Sequence, residues 1–309
     1  MNVLAQMLPL VFLIGLGVVL QRLSYFEEVA FSRIQSFLLQ VTIPCLLFTA
    51  FSTMRFGQGQ VMVSVGMFLF MLLMLICGVA AYRLLPIRHD FFIFFFSAFG
   101  FGTVAFPVFV EFFGIENAAP MALLGIGHEV FIAGVLLPAL QIFYGKRGAR
   151  WWSAFVTPAM VMVFLGTAIG AANLTPVIYS NIIGAGLLDT IGRIGGLTLP
   201  FALILTGYRL RLSDRKYLKI SALYAGIRLA VAIGLGVMFH ALFLEPFTPG
   251  LPLLGHAFYT LILQHGPIVL LVYVARYRSI EDQIIANNAF VINMAAGIAL
   301  FFLYMLIWL

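Results

Sequence analysis

FLFMLLMLICGVAAY, residues 68–82, decides the fold. It never alternates apolar with polar residues, and it sits inside an uncharged run covering 61–82. A bilayer-spanning helix needs about 20 such residues. Only helices and closed β-barrels satisfy every backbone polar group in lipid, and a barrel strand would alternate over about 10 residues. Residues 61–82 therefore read as a membrane helix. Working outward, apolar runs recur to both ends of the 309-residue chain, at about 4–22, 31–53, 60–85, 91–112, 119–144, 153–173, 182–208, 220–243, 253–275 and 284–308. Composition agrees: 63% of residues are hydrophobic and 9% are charged, against about 25% charged in a soluble domain. So few charges could not cover a water-facing surface, which excludes an ordinary soluble enzyme, and a disordered or collagen-like chain is excluded as well. The expected fold is an all-α membrane protein with ten transmembrane helices.

The basic residues orient the spans. Connections after spans 1, 3, 5, 7 and 9 hold Arg22, Arg33, Arg83, Arg88, Lys146, Arg147, Arg150, Arg209, Arg211, Arg215, Lys216, Lys219, Arg276 and Arg278; those after even spans hold Arg55 alone. Positive loops stay in the cytoplasm, which puts both termini outside. The net charge of +6 is thereby topological, and no nucleic-acid partner is expected. Trp151, Trp152 and Trp308 fit interfacial anchors. Arg228 lies inside span 8 and is expected to snorkel to the cytoplasmic side. Leu4–Leu20 lacks a basic n-region and a small-residue cleavage site, so it reads as a retained helix. Cys45 and Cys77 both fall inside spans, and no disulfide is expected.

The basic loop 145–152 divides the chain into a first five-helix repeat (1–144) and a second (153–309). Five is odd, so a duplicated half enters the membrane the other way up, as in inverted-repeat transporters. VTIPCLLFTA (41–50) and LTLPFALILT (197–206) align Thr42 and Pro44 with Thr198 and Pro200, and Arg55 with Arg211. GFGTVAFP (100–107) and LILQHGP (261–267) align Pro107 with Pro267.

Spans 4 and 9 carry the candidate site. A mid-membrane proline removes a backbone donor and frees a carbonyl, and Gly100 and Gly102 weaken span 4 further. Such breaks belong in a buried or watery place, where they can hold a ligand. The candidate substrate-binding residues are Gly100, Gly102, Thr103, Pro107, Gln264, His265, Gly266 and Pro267, with Asn293 as the deepest of three span 10 amides (Asn287, Asn288, Asn293). His265 could donate to a carboxylate. His128 and Glu129 in span 5 are coupling or gating candidates, Glu129 as a proton carrier. Asp189 and Arg193 stand four apart on one face. They are candidates too, with mutual charge cancellation as the simplest account and attraction of an anion by Arg193 as the other. Zinc-protease, phosphate-loop and nucleophile-elbow motifs are absent, so neither an enzyme nor a bound cofactor is expected. No channel filter or charged ring is evident.

LPLVFLIGLGVVLQRLSYF (8–26), LLQVTIPCLLFTAF (38–51), SAFGFGTVAFPVFVEFFGIENA (97–118), LLDTIGRIGGLTLPFALILTGYRL (187–210) and GPIVLLVYVARYRSIEDQIIANNAFVI (266–292) together resemble the auxin efflux carrier family, whose bacterial members include malate and malonate permeases. Order and spacing carry this resemblance over nearly the whole chain. It implies two inverted groups of five helices, a scaffold of spans 1, 2, 6 and 7, and broken spans 4 and 9 crossing at the substrate site. It also implies an elevator-like transport unit, dimers through the scaffold, and a bacterial inner-membrane location. Many relatives carry an Asn seven residues before the span 4 proline. Here Gly100 stands there, while Gln264 and His265 make the span 9 crossing more polar than in many relatives.

The expected function is secondary transport of a small organic anion, with proton or sodium coupling left open. A cation/proton antiporter of similar crossed-helix fold is the alternative, although no acidic residue lies in 97–107 or 257–267. A non-transporting membrane sensor is the third reading.

Overall fold

The computed structural model describes residues 3–23, 27–54, 60–85, 89–144, 157–248 and 250–308. Among these residues all regular structure is helical. The first half comprises α1 (Val3–Arg22), α2 (Glu28–Phe37), α3 (Ile43–Thr53), α4 (Gln60–Leu84), α5 (Phe91–Phe95), α6 (Phe106–Phe113), α7 (Ala119–Phe131) and α8 (Leu137–Phe143). The second comprises α9 (Pro158–Ala171), α10 (Thr175–Tyr179), α11 (Ile182–Gly196), α12 (Thr198–Arg209), α13 (Leu218–Phe239), α14 (Glu245–Phe247), α15 (Leu254–Ile262), α16 (Ile268–Tyr277) and α17 (Ile280–Trp308). The loop 145–152 with Lys146, Arg147, Arg150, Trp151 and Trp152 lies outside the described residues, as do Arg55 and Arg88.

Among the described residues, six helices are long and apolar enough to cross a membrane: Val29–Thr53, Val61–Leu84, Ala119–Phe143, Ile182–Arg209, Arg215–Phe247 and Ile280–Trp308. Met7–Arg22, Phe101–Phe113, Pro158–Ala171 and Ile268–Tyr277 are shorter apolar helices.

Four of the prolines inside these rods share one way of being accommodated. Pro44, Pro107, Pro138 and Pro246 each follow a widened π turn: Leu38–Thr42, Phe101–Ala105, Ile132–Leu136 and His240–Leu244. A proline ring clashes with the carbonyl four residues back. In each case the residue before the proline donates its N–H to the carbonyl five residues back (Ile43 to Leu38, Phe106 to Phe101, Leu137 to Ile132, Glu245 to His240). The wider turn makes room for the ring, and the helix continues.

Helices meet where glycine lets backbones touch, the usual device of helix packing in lipid. α1 packs on α12, where a Cβ on Gly17 would stand 2.1 Å from the Ile204 carbonyl oxygen and one on Gly207 1.9 Å from that of Ile14. α9 packs on α3 in the same manner, with Gly170 against the Phe51 carbonyl at 2.4 Å. α4 lies along α7, and α13 along α17. Between these pairs is a phenylalanine-rich core built from Phe91, Phe92, Phe95, Phe96, Phe99, Phe101, Phe106 and Phe109, all buried. This core encloses the irregular segment 96–100, so no unpaired backbone there faces lipid.

Candidate functional site

Two helices are interrupted inside the molecule. α5 ends at Phe95, and helical structure resumes at Phe101; α15 ends at Ile262, and α16 begins at Ile268. The last carbonyls of a helix and those just past its end need partners from elsewhere, and here one side chain serves three of them. Arg228, in α13, is fully buried. Its Nε donates to the Phe95 carbonyl at 2.9 Å and its Nη2 to that of Ala98 at 2.9 Å. Its Nη1 donates to the Gln264 carbonyl at 2.9 Å and to Asn293 Oδ1 at 2.8 Å. The guanidinium also lies 5.5 and 4.9 Å from the Phe95 and Phe99 ring centres. One cation thus holds the loose ends of both interrupted helices, and it corrects the expectation that Arg228 snorkels outward. The carbonyl groups left by the breaks make an interior arginine cheaper than a long reach to the interface.

His128 completes the set. Its Nε2 donates to the Phe99 carbonyl at 2.8 Å, and Nδ1 lies 3.1 Å from Glu129 Oε1. Because Nε2 carries a proton, a bond at Nδ1 requires one further proton shared between ring and carboxyl. His128 and Glu129 are therefore tied to the span 4 break through its backbone.

At the crossing, a Cβ on Gly100 would lie 2.4 Å from His265 Cε1, and one on Gly266 would lie 2.9 Å from the Phe95 carbonyl oxygen. The His265 ring occupies the side-chain space of position 100. It lies tilted against Phe290 with ring centres 4.5 Å apart, donates from Nδ1 to the Gly266 carbonyl at 2.7 Å, and presents Nε2 to Thr103 Oγ1 at 3.4 Å. Thr103 and His265 border a narrow cavity of about 30 Å³. Gln35 and Arg209, hydrogen-bonded to each other, and Thr206 face them across it. Leu38, Ile268 and Met294 give it apolar walls. Among the lining residues there is no Asp or Glu. A cavity of this size admits water and nothing much larger.

Other candidates sit elsewhere. Gln264 turns its amide back to the Thr260 carbonyl at 2.9 Å, so its backbone, not its side chain, serves the crossing. Asn293 is buried against Arg228 and does not line the cavity; its Nδ2 has no hydrogen-bond partner among the described residues. Pro107 is the second residue of α6, and Pro267 is the N-cap of α16, so the aligned prolines play different parts and the span 4 break lies upstream of its proline. Gly102 abuts Ile43, 3.1 Å from where its Cβ would be. Asp189 and Arg193 do not form the expected ion pair: both are exposed, and Asp189 accepts from the Tyr179 hydroxyl at 3.3 Å. Asn288 straps α17 to the α12–α13 connection through Ser213 N (2.8 Å) and Ser213 O (3.1 Å).

Sequence reasoning missed Arg228 and Arg209 as site residues. For Arg228 the available signal was a cation well inside a span, which marks a functional position by default; Arg209, counted among the basic connections, gave no such signal. No three His, Cys, Asp or Glu side chains gather to hold a metal among the described residues. No protein-family model matches the chain, and no curated protein matches it.

Proposed function

We propose that the chain is a secondary transporter carrying a small organic anion by alternating access, without bond chemistry and without a cofactor. The observation that carries the reading is the meeting of two interrupted helices at one buried arginine, beside a cavity with cationic and hydrogen-bonding walls and no carboxylate. An anion arriving there finds Arg209, Thr103 and His265, whose Nε2 becomes a donor once protonated. The lack of a lining carboxylate weighs against the cation-antiporter alternative.

In this proposal ten membrane passes form two inverted five-helix halves. The packing supports it: α1 on α12 is answered by α9 on α3, and α4 along α7 by α13 along α17. Those are the pairs that a two-fold exchange of spans 1–5 with 6–10 would produce. The cavity lies between α2, the π turn that follows it and α12 on one side and the breaks, α16 and α17 on the other. At about 30 Å³ it holds no dicarboxylate until those sides part, which supports an elevator-like movement. The Lys and Arg distribution supports cytoplasmic odd loops, with both termini outside. The family resemblance adds the bacterial inner membrane. Exposed Asp189 and Arg193 on an apolar helix would be costly against lipid, which supports a homodimer covering α11. The His128–Glu129 proton offers a coupling site.

Uptake of labelled dicarboxylates into proteoliposomes tests the reading. The native chain is expected to exceed protein-free vesicles, and Thr103→Ala with His265→Ala to weaken uptake about tenfold or more, the worth of one or two bonds to a charged ligand. Undiminished uptake in that variant would overturn the site. Tight binding with no flux would favour the sensor reading.

A further inference from the structure

A second cavity, of about 860 Å³, lies between α13, α15 and α17 and shares no lining residue with the one beside the crossing. One side is apolar and open outward: Val237, Leu303 and Ile307 line it and are also among the exposed apolar side chains. In a helix-rich membrane protein such a side opening faces acyl chains. Beside them is a box of rings. His240 lies 5.3 Å from Tyr259, Tyr259 5.5 Å from Tyr304, and Tyr304 6.3 Å from Trp308. The His256 Nδ1 is bonded to the Tyr304 hydroxyl at 2.7 Å, while the His240 ring nitrogens have no hydrogen-bond partner among the described residues.

Glu245 is the single charged residue lining this cavity, together with His240 and Tyr259. It makes no ion pair among the described residues. A carboxylate beside tyrosine and tryptophan faces is the chemistry that holds an ammonium group. Free imidazole N–H groups suit a phosphate. The box lies where the chain turns between α14 and α15 and where α17 ends at Trp308, the level at which aromatic side chains meet headgroups.

We propose that this cleft binds a phospholipid of the surrounding bilayer that bears an ammonium headgroup. One chain fills the Val237–Leu303–Ile307 slot, the ammonium rests on Glu245 and the Tyr259, Tyr304 and Trp308 rings, and the phosphate accepts from His240 and His256. An anionic headgroup would face Glu245 unpaired. The inference rests on membrane residence alone and not on transport.

Delipidated protein in detergent, given short-chain phosphatidylethanolamine or phosphatidylglycerol of the same chains, tests it by native mass spectrometry and thermal unfolding. The ethanolamine lipid is expected to be retained and to raise the unfolding temperature more than the glycerol lipid. Glu245→Gln with Tyr304→Leu is expected to weaken that retention about tenfold and to erase the headgroup preference. Because Glu245 is exposed, Glu245→Gln alone keeps the test open if the double variant fails to fold. Leu303→Trp, filling the slot, is expected to reduce retention of both lipids. Equal retention of the two lipids, or a preference that survives Glu245→Gln, would overturn the proposal. So would a simple alkylamine that binds as tightly as the ethanolamine lipid, since the phosphate would then have no role.

Discussion

Position 100 has room for no side chain, because the ring of His265 already fills it: a Cβ there would stand 2.4 Å from Cε1 and 2.5 Å from Nε2. The ring cannot retreat freely, since Phe290 packs against it and Nδ1 is bonded to Gly266. Gly100→Ala is therefore expected to destabilise the protein by about 1–3 kcal/mol, the usual cost of overpacking. His265→Ala alone leaves a void and costs a comparable amount. The double variant should be less damaged than the two losses added together, by about 1–2 kcal/mol, because each change removes the cause of the other's strain. Unfolding of the four proteins in mixed micelles measures this coupling, and strict additivity would mean that the ring and the glycine are not competing for one space. The sequence showed a glycine and a histidine in two different spans; nothing in their local spacing could say that one excludes a side chain from the other.

Between the residues and the whole stand the two interrupted helices, and Arg228 is what they share. Arg228→Met is expected to cost about 3–5 kcal/mol, as for a buried polar cluster that loses one partner. The carbonyls of Phe95, Ala98 and Gln264 would otherwise lose a donor with no water to replace it. Arg228→Lys should recover part of the loss and not all of it. An ammonium carries three donors at one point, whereas the guanidinium reaches four acceptors on three segments through a planar fork. A Met variant as stable as the native chain would show that the breaks hold themselves together. The helical class was legible here from hydrophobic runs, and so was the neighbourhood of both breaks, from Gly100, Gly102 and the Gln264–Pro267 stretch. Proline was the poorer guide. Pro107 follows a π turn that absorbs its ring, as do Pro44, Pro138 and Pro246, so four of these signals mark widened turns and no break. Arg228 was visible as a misplaced charge, but its destination depends on the carbonyls of Phe95, Ala98 and Gln264, which only the assembled fold brings together.

At the scale of the molecule, the cavity beside the crossing is bordered by two groups of helices that touch across it. On one side are α2, the turn after it, and α12; on the other are Thr103, His265, the start of α16 and the middle of α17. The two sides are also tied along the chain, because Asn288 of α17 holds Ser213 in the connection leading out of α12. On the side of the molecule where span 9 ends, Arg278 pairs with Asp90, and His89 with Asp282 at 2.6 Å. These pairs bind the beginnings and ends of spans 4, 9 and 10 into one block, and none reaches α3 or α12. If that block moves against α3 and α12 during transport, a covalent link across the cavity must stop it. Leu38 and Ile268 line the cavity from opposite sides. With Cys45 and Cys77 replaced by alanine, Leu38→Cys with Ile268→Cys gives a thiol pair for a short cross-linker. Uptake is expected to fall to the protein-free level when the link forms and to return when a cleavable linker is cut. Each single-cysteine variant should be unaffected by the reagent. Full uptake through a chain shown by mass to be linked would mean that these two sides need not separate, and the moving-block reading would fail while the binding site at His265 could still stand on its own test.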